Sequence, residues 1–400
     1  MSELATVTVM SCRLVGVEAL RVDVCCRAEV GASDVRIAGA TALAAKEAKM
    51  RLLSATSTVG ESVSCVSISL GTVGAPTRAT ASLDLACALG ALAASGGLPA
   101  SSVADVLVVG ELGLDGSVRP VRGTLAAAEL ARSEGARAII VPESCAWEAA
   151  LVPGLVVHPV TDLAEAMSGL RGERPLRVLG DGSPSPLVDD DAAVLARLCG
   201  IPVVAAAVAA VADAVARGQG VLLVGSPGVG KTMLARRVRT LMPALTHREA
   251  LDVTRAYSAL GLARELPRAR PFRAPHYTVS APALVGGADG RPGEVGLASC
   301  GVLYLDELDQ FNSSTVLALA AALRRTPAGR RPVVVASASP CPCGWSGSDR
   351  RSCTCSAEGL ERHQGRVREL ADTLGPLARV EVPAISISEL RRSGDDAERV

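Results

Sequence analysis

The chain has 400 residues, with 41 lysines and arginines against 41 aspartates and glutamates, so no whole-molecule field draws it toward nucleic acid or a membrane surface. Nearly half of it is hydrophobic, yet it holds only two tryptophans, three tyrosines and two phenylalanines, which disfavours an aromatic platform for stacking single strands. Twelve cysteines in this length do not make a disulfide scaffold, and the first residues lack the basic-then-apolar order of a signal peptide.

Two or three domains are expected. In chain order, Thr6–Leu14 and Val22–Val30 read as strands and Ala40–Leu53 as a helix. Val63–Leu70 alternates as a strand, and Leu83–Ala94 is an apolar helix ended by Ser95-Gly96-Gly97, with Ser82 as its expected N-cap. Val106–Val109 and Ser117–Val121 are expected to form a hairpin around Asp115-Gly116. Thr124–Glu134, Ala138–Val141 and Asp162–Met167 supply helix, strand and helix, completing an α+β domain over residues 1–172. The Gly, Pro and Ser content and the acidic triplet Asp189-Asp190-Asp191 mark residues 173–195 as a linker. An alanine-rich helix near Val203–Arg217 follows; its apolar run is too short to span a bilayer, so no membrane partner is expected and the cytoplasm is the expected location.

Next comes the most informative stretch. The apolar strand Val221-Leu222-Leu223-Val224 leads into Gly225-Ser226-Pro227-Gly228-Val229-Gly230-Lys231-Thr232, and a helical pattern follows. This is G-x-x-x-x-G-K-T in the strand–loop–helix context that gives it meaning. Such a loop turns backbone N–H groups and a helix N-terminus toward phosphate oxygens. Lys231 reaches the β- and γ-phosphates and Thr232 offers its hydroxyl to Mg²⁺, so ATP and Mg²⁺ are the expected ligands.

The strand Val302–Leu305 ends in Asp306-Glu307, a pair suited to holding the Mg²⁺ shell and to orienting and deprotonating a water. A third polar position is expected on a neighbouring strand, and Val333–Ser339 provides one. Strands alternating with helices after a phosphate loop imply an α/β nucleotide-binding domain over residues 196–400.

Cys341-x-Cys343 and Cys353-x-Cys355, nine residues apart, offer four thiolates for a structural Zn²⁺, with an unmetallated loop as the alternative. Cys25, Cys26, Cys65, Cys87, Cys199 and Cys300 lie in apolar contexts and read as core residues. Two basic stretches, one at Arg264, Arg268, Arg270 and Arg273 and the other at Arg324, Arg325, Arg330 and Arg331, can contact DNA phosphates or simply face solvent.

Several segments together resemble the magnesium-chelatase-like AAA+ ATPases of the YifB/ComM branch. They are Arg270–Ser280, Leu284-Val285-Gly286-Gly287, Arg291-Pro292-Gly293-Glu294, Asp306-Glu307-Leu308, Pro340–Gly344, and in the first domain Gly110–Gly116 with Arg119–Gly123. The resemblance covers nearly the whole chain. It implies a Lon-protease-like N-terminal domain followed by an AAA+ module in a homo-hexameric ring, a motor acting on DNA in branch migration and recombination during natural transformation.

The chain departs from the family pattern in four places. Ser339 stands where the family carries Asn, as the expected third catalytic position beside Glu307. The segment that supplies an arginine to the neighbouring subunit's ATP is reduced to Gly375–Val382, leaving Arg379 as its substitute. The region Ala322–Pro332 is shorter, and the sequence stops at Val400 before the helical lid expected of the family. In the first domain Ser82 aligns with the Lon nucleophile, but Leu125 occupies the place of its lysine base, so no peptidase activity is expected. Three functions follow in order: a DNA motor; an ATP-binding subunit that hydrolyses poorly and joins rings of a paralogue; and a metal-chelatase motor subunit.

Overall fold

The first strand opens in alternation, with Val7 and Val9 buried and Thr6 and Thr8 exposed, as one face of a half-covered sheet requires. The structure, a computed structural model, describes residues 6–29, 34–63, 66–71, 81–180, 202–288, 290–348 and 351–383. Contacts divide the chain into two units, Met1–Pro184 with Tyr257–Glu265, and Ser185–Ala256 with Leu266–Val400. Residues 181–195 of the expected linker, and Cys65 and Cys199, lie outside the described residues.

The first unit runs β1 (Thr6–Val15), β2 (Glu18–Ala28), β3 (Arg36–Ala38), α1 (Ala42–Thr58), β4 (Val66–Gly71), α2 (Asp84–Ala94), β5 (Val106–Val108), β6 (Glu111–Leu112), β7 (Val118–Arg119), α3 (Thr124–Ser133), β8 (Ala138–Pro142), α4 (Ala146–Ala149), β9 (Val156–Val160) and α5 (Leu163–Leu170). Seven strands form one mixed sheet in the order β3-β4-β2-β1-β5-β8-β9. The helix α2 is buried along nearly its whole length and packs on β1 and β2. Burial pushes the Cys12 and Cys26 thiols up to about 12, which keeps them inert core residues.

Two expectations are corrected in this unit. The hairpin around Asp115-Gly116 pairs β6 with β7, while Val106–Val108 is a central strand between β1 and β8. Ser82 lies in the 3₁₀ turn Ala81–Leu83, and Leu83, which offers no side-chain acceptor, holds the capping position of α2. Leu125 is fully buried.

The second unit runs α6 (Pro202–Ala216), β10 (Gly220–Val224), α7 (Lys231–Leu241), α8 (His247–Ser258), β11 (Phe272–Arg273), α9 (Ala281–Val285), α10 (Glu294–Leu297), β12 (Val302–Leu305), α11 (Ser313–Arg325), β13 (Val333–Ala338), α12 (Ala357–Leu374) and β14 (Leu377–Glu381). Its sheet is five-stranded and parallel, ordered β11-β12-β13-β10-β14. Parallel strands need cover on both faces, and the alternation in β10 supplies it. Val221 and Leu223 face the core shared with α6 and α7, while Leu222 and Val224 face the core shared with α9, α11 and α12. The protein is thus an α+β domain followed by a P-loop α/β domain. Among the described residues no helix is long and apolar enough to cross a membrane.

Candidate functional site

In a parallel sheet, ligands gather beyond the carboxyl ends of the strands. The Gly225–Thr232 loop leaves the carboxyl end of β10, and Gly230 (φ +93°) takes the left-handed turn that starts α7 at Lys231. Lys231 Nζ donates to the carbonyls of Gly225 (2.7 Å) and Ser226 (3.1 Å), so the ammonium folds back over the loop it belongs to. Burial lowers its pKa, against the opposing pull of Asp306, Glu307 and Asp309.

The strand β13 lies between β10 and β12, so the acid pair sits one strand beyond the phosphate loop. Thr232 Oγ1 is nevertheless 3.4 Å from Asp306 Oδ2 and 3.2 Å from the Tyr304 hydroxyl. The other oxygen of Asp306, Oδ1, accepts from Tyr304 (2.7 Å) and from Ser337 Oγ (2.6 Å). Ser337 Oγ in turn accepts from the Glu307 backbone N–H at 3.1 Å. Glu307 has φ +54°, a left-handed backbone that a non-glycine residue adopts at a local cost, and its side chain is exposed at the strand end. Asp306 Oδ2 and Thr232 Oγ1 are thereby presented as a pair of hard oxygen donors, a fit for Mg²⁺.

The loop residues, Thr232, Asp306 and Glu307 therefore meet at one sheet edge. Ser339 is one residue past β13; its carbonyl accepts from His363 Nε2 (2.9 Å), and Ser337 is the serine that touches Asp306. Sequence reasoning missed Ser337 and Tyr304; the signal for Tyr304 was the two-residue spacing Tyr304-x-Asp306 at the end of β12, which in extended backbone turns both side chains to one side. Arg379 stands in mid-strand on β14, opposite Leu222, and its guanidinium lies 3.5 Å from Glu381.

The four cysteines converge. The sulfur atoms of Cys341, Cys343, Cys353 and Cys355 all lie within 4.8 Å of one another. Backbone N–H groups, first of Thr354 and then of Trp345, hold the Cys343 thiol down to about 5.

Two of the four arginines of the first basic stretch are structural. Arg270 is buried and donates to the carbonyls of Pro243 (2.6 Å) and Cys300 (2.5 Å) and to Glu249, and Arg273 forms a two-pronged pair with Glu294. In the second stretch Arg330 pairs with Asp252 at 2.8 Å, while Arg324 and Arg325 are exposed at the end of α11.

The family model described as magnesium chelatase, subunit ChlI, matches residues 201–388, and a second, described as subunit ChlI of Mg-chelatase, matches residues 24–145. An uncharacterized protein of Mycobacterium tuberculosis is 36% identical over 354 residues, 84% of this chain and 69% of its own length. The competence protein ComM of Haemophilus influenzae is 33% identical over 339 residues, 79% of this chain and 64% of its own. The uncharacterized protein YifB of Escherichia coli is 36% identical over 246 residues, 59% of this chain and 46% of its own.

Proposed function

The chain belongs to the magnesium-chelatase-like AAA+ ATPases of the YifB/ComM branch, and from that premise we propose that it is the ATP-hydrolysing subunit of a homo-hexameric ring motor that moves on DNA in the cytoplasm. The observation that carries the reading is the approach of Thr232 to Asp306, 3.4 Å across an intervening strand. Thr232 and Asp306 would hold Mg²⁺, which would supply charge neutralisation for the phosphates of bound ATP. Lys231 leaves the carbonyls of Gly225 and Ser226 to take phosphate oxygens instead. Glu307 orients a water and accepts its proton, with its backbone pinned by Ser337. Ser339 lines the same edge, and Arg379 serves a neighbouring subunit. Residues 1–172 act as a scaffold rather than a peptidase, 173–195 as the linker, and 196–400 as the ATP-binding module. The work on DNA is branch migration in recombination.

A second reading, an ATP-binding subunit of low turnover that joins rings of a paralogue, is favoured by the placement of Arg379 beside its own Glu381. Hydrolysis by the purified chain, with and without branched DNA and beside Lys231→Ala, separates the two. Turnover that needs Lys231 and rises with DNA supports the motor. Nucleotide binding that needs Lys231, with no turnover in either protein, supports the second reading and sinks the first.

A further inference from the structure

The four-cysteine cluster is joined to the nucleotide site at three points. Gly344 lies inside it with φ +82°, its backbone so close to the phosphate loop that a Cβ there would fall 2.7 Å from Pro227 Cδ. Ser339 leads directly into Cys341 through Pro340, and the carbonyl just before it, that of Ala338, accepts from Gly225 N–H at 3.3 Å. On the far side, Cys355 is followed by Ser356, which caps α12 by accepting from Gly359 N–H at 3.1 Å. From α12, His363 returns to the Ser339 carbonyl, and Arg366 donates to the carbonyls of Phe311 (2.8 Å) and Asp309 (3.2 Å) in the turn after Glu307. The chain thus leaves Ser339, passes through the cysteines, and comes back to Ser339.

The sulfur geometry is that of a metal site. Cys341 Sγ lies 3.4 Å from Cys343 Sγ and 3.7 Å from Cys353 Sγ, and the last two are 3.6 Å apart. A tetrahedral ZnS₄ centre with Zn–S near 2.3 Å has edges of about 3.8 Å, whereas a disulfide needs about 2.05 Å. Further backbone N–H groups point at sulfur, Ser346 at Cys341 (3.2 Å) and Cys343 at Cys355 (3.4 Å), the outer-shell donation that steadies metal thiolates. Cys341 is wholly buried, where a thiolate requires a cation.

We propose that Cys341, Cys343, Cys353 and Cys355 hold one zinc ion, and that this ion clamps the phosphate loop through Gly344 and Pro227 and fixes Ser339 through α12, so that zinc occupancy sets nucleotide affinity. The proposal rests on the nucleotide site above. The test uses the full chain purified without chelators, its zinc content, and its affinity for a fluorescent ATP analogue before and after zinc extraction by a membrane-permeant chelator, with circular dichroism to show that the fold persists. One zinc per chain is expected, and affinity falls about tenfold on extraction, the loss of one charge-assisted hydrogen bond to phosphate. Added Zn²⁺ restores it and added Mg²⁺ does not. Gly344→Ala, which keeps all four thiols and presses on Pro227, retains zinc and loses affinity to a similar extent. Less than half a zinc per chain overturns the metal site. Unchanged affinity in folded, zinc-free protein overturns the clamp alone. A zinc-loaded protein that binds no nucleotide overturns the nucleotide reading and the clamp together.

Discussion

Tyr304, in β12, donates its hydroxyl to Asp306, the first residue past the end of that strand, at 2.7 Å. Burial pushes the phenol pKa up, so the proton stays on the tyrosine and the carboxylate stays the acceptor. Tyr304→Phe removes that bond while keeping the ring that stacks on Phe272. The expected result is a metal requirement raised about tenfold, with nucleotide affinity at saturating Mg²⁺ unchanged. A Mg²⁺ titration of nucleotide binding reads it, and an unshifted midpoint would contradict the role given to Tyr304.

Glu307→Gln keeps the shape of the side chain and the strained backbone but removes the carboxylate proposed as the base. Turnover should fall by roughly 10²–10⁴ while nucleotide binding persists. Single-turnover hydrolysis beside equilibrium binding separates the two effects. Parallel loss of both would place Glu307 in binding rather than in proton transfer.

Arg270 belongs to the interior. Its donors satisfy Pro243, Cys300 and Glu249, and Glu249 is itself the reciprocal partner of Thr246 at the start of α8. Arg270→Ala leaves those acceptors without their cation and should destabilise the second unit by about 3–5 kcal/mol. Denaturant unfolding followed by Trp345 emission in a Trp147→Phe background measures this. The paired substitution Arg324→Ala with Arg325→Ala, at the exposed end of α11, should leave stability unchanged and weaken the salt-dependent part of the DNA binding proposed above. If Arg270→Ala weakened DNA binding with stability intact, its structural assignment would be wrong.

In the first unit Asp84 is buried at the start of α2, where it accepts from Arg51 at 2.6 Å. Burial outweighs the guanidinium and lifts the carboxyl from its ordinary 3.8 to about 6. Between those two values the folded chain holds a proton that the unfolded chain has released. Stability from this group is therefore present below 3.8 and is lost as pH rises through about 6. Wild type should therefore lose stability relative to Asp84→Asn, which stays neutral, over that window. Urea unfolding followed by Trp147 emission in a Trp345→Phe background tests it, and wild type gaining on Asp84→Asn as pH rises would reverse the sign argued here.

The phosphate loop and the acid pair were legible because each is a contiguous run whose neighbours announce a strand and a helix. Ser337 was not, since its contact with Asp306 depends on β13 pairing with β12, segments far apart in sequence, and Tyr304 left only the short Tyr304-x-Asp306 spacing as a signal. The same limit explains the hairpin. Val106–Val108 is as apolar as a hairpin arm, but only the non-local pairing with β1 and β8 shows it to be a central strand. Gly375–Val382 drew notice for its missing arginine pattern, whereas its structural role, supplying β14 beside the phosphate-loop strand, required the partner to be known. The cysteine spacing suggested a metal without revealing that its loop touches Pro227.

The helix α12 carries His363 and Arg366 three residues apart, hence on one side of the cylinder. One contacts the residue after β13 and the other the turn after β12, so any axial slide of α12 is felt by both strand ends at once and in the same sense. A residue inserted between them would rotate the second by about 100° and leave only one contact in place. The interval between these two side chains therefore works as a fixed gauge length, transmitting displacement of a single rod to two otherwise separate points of the sheet.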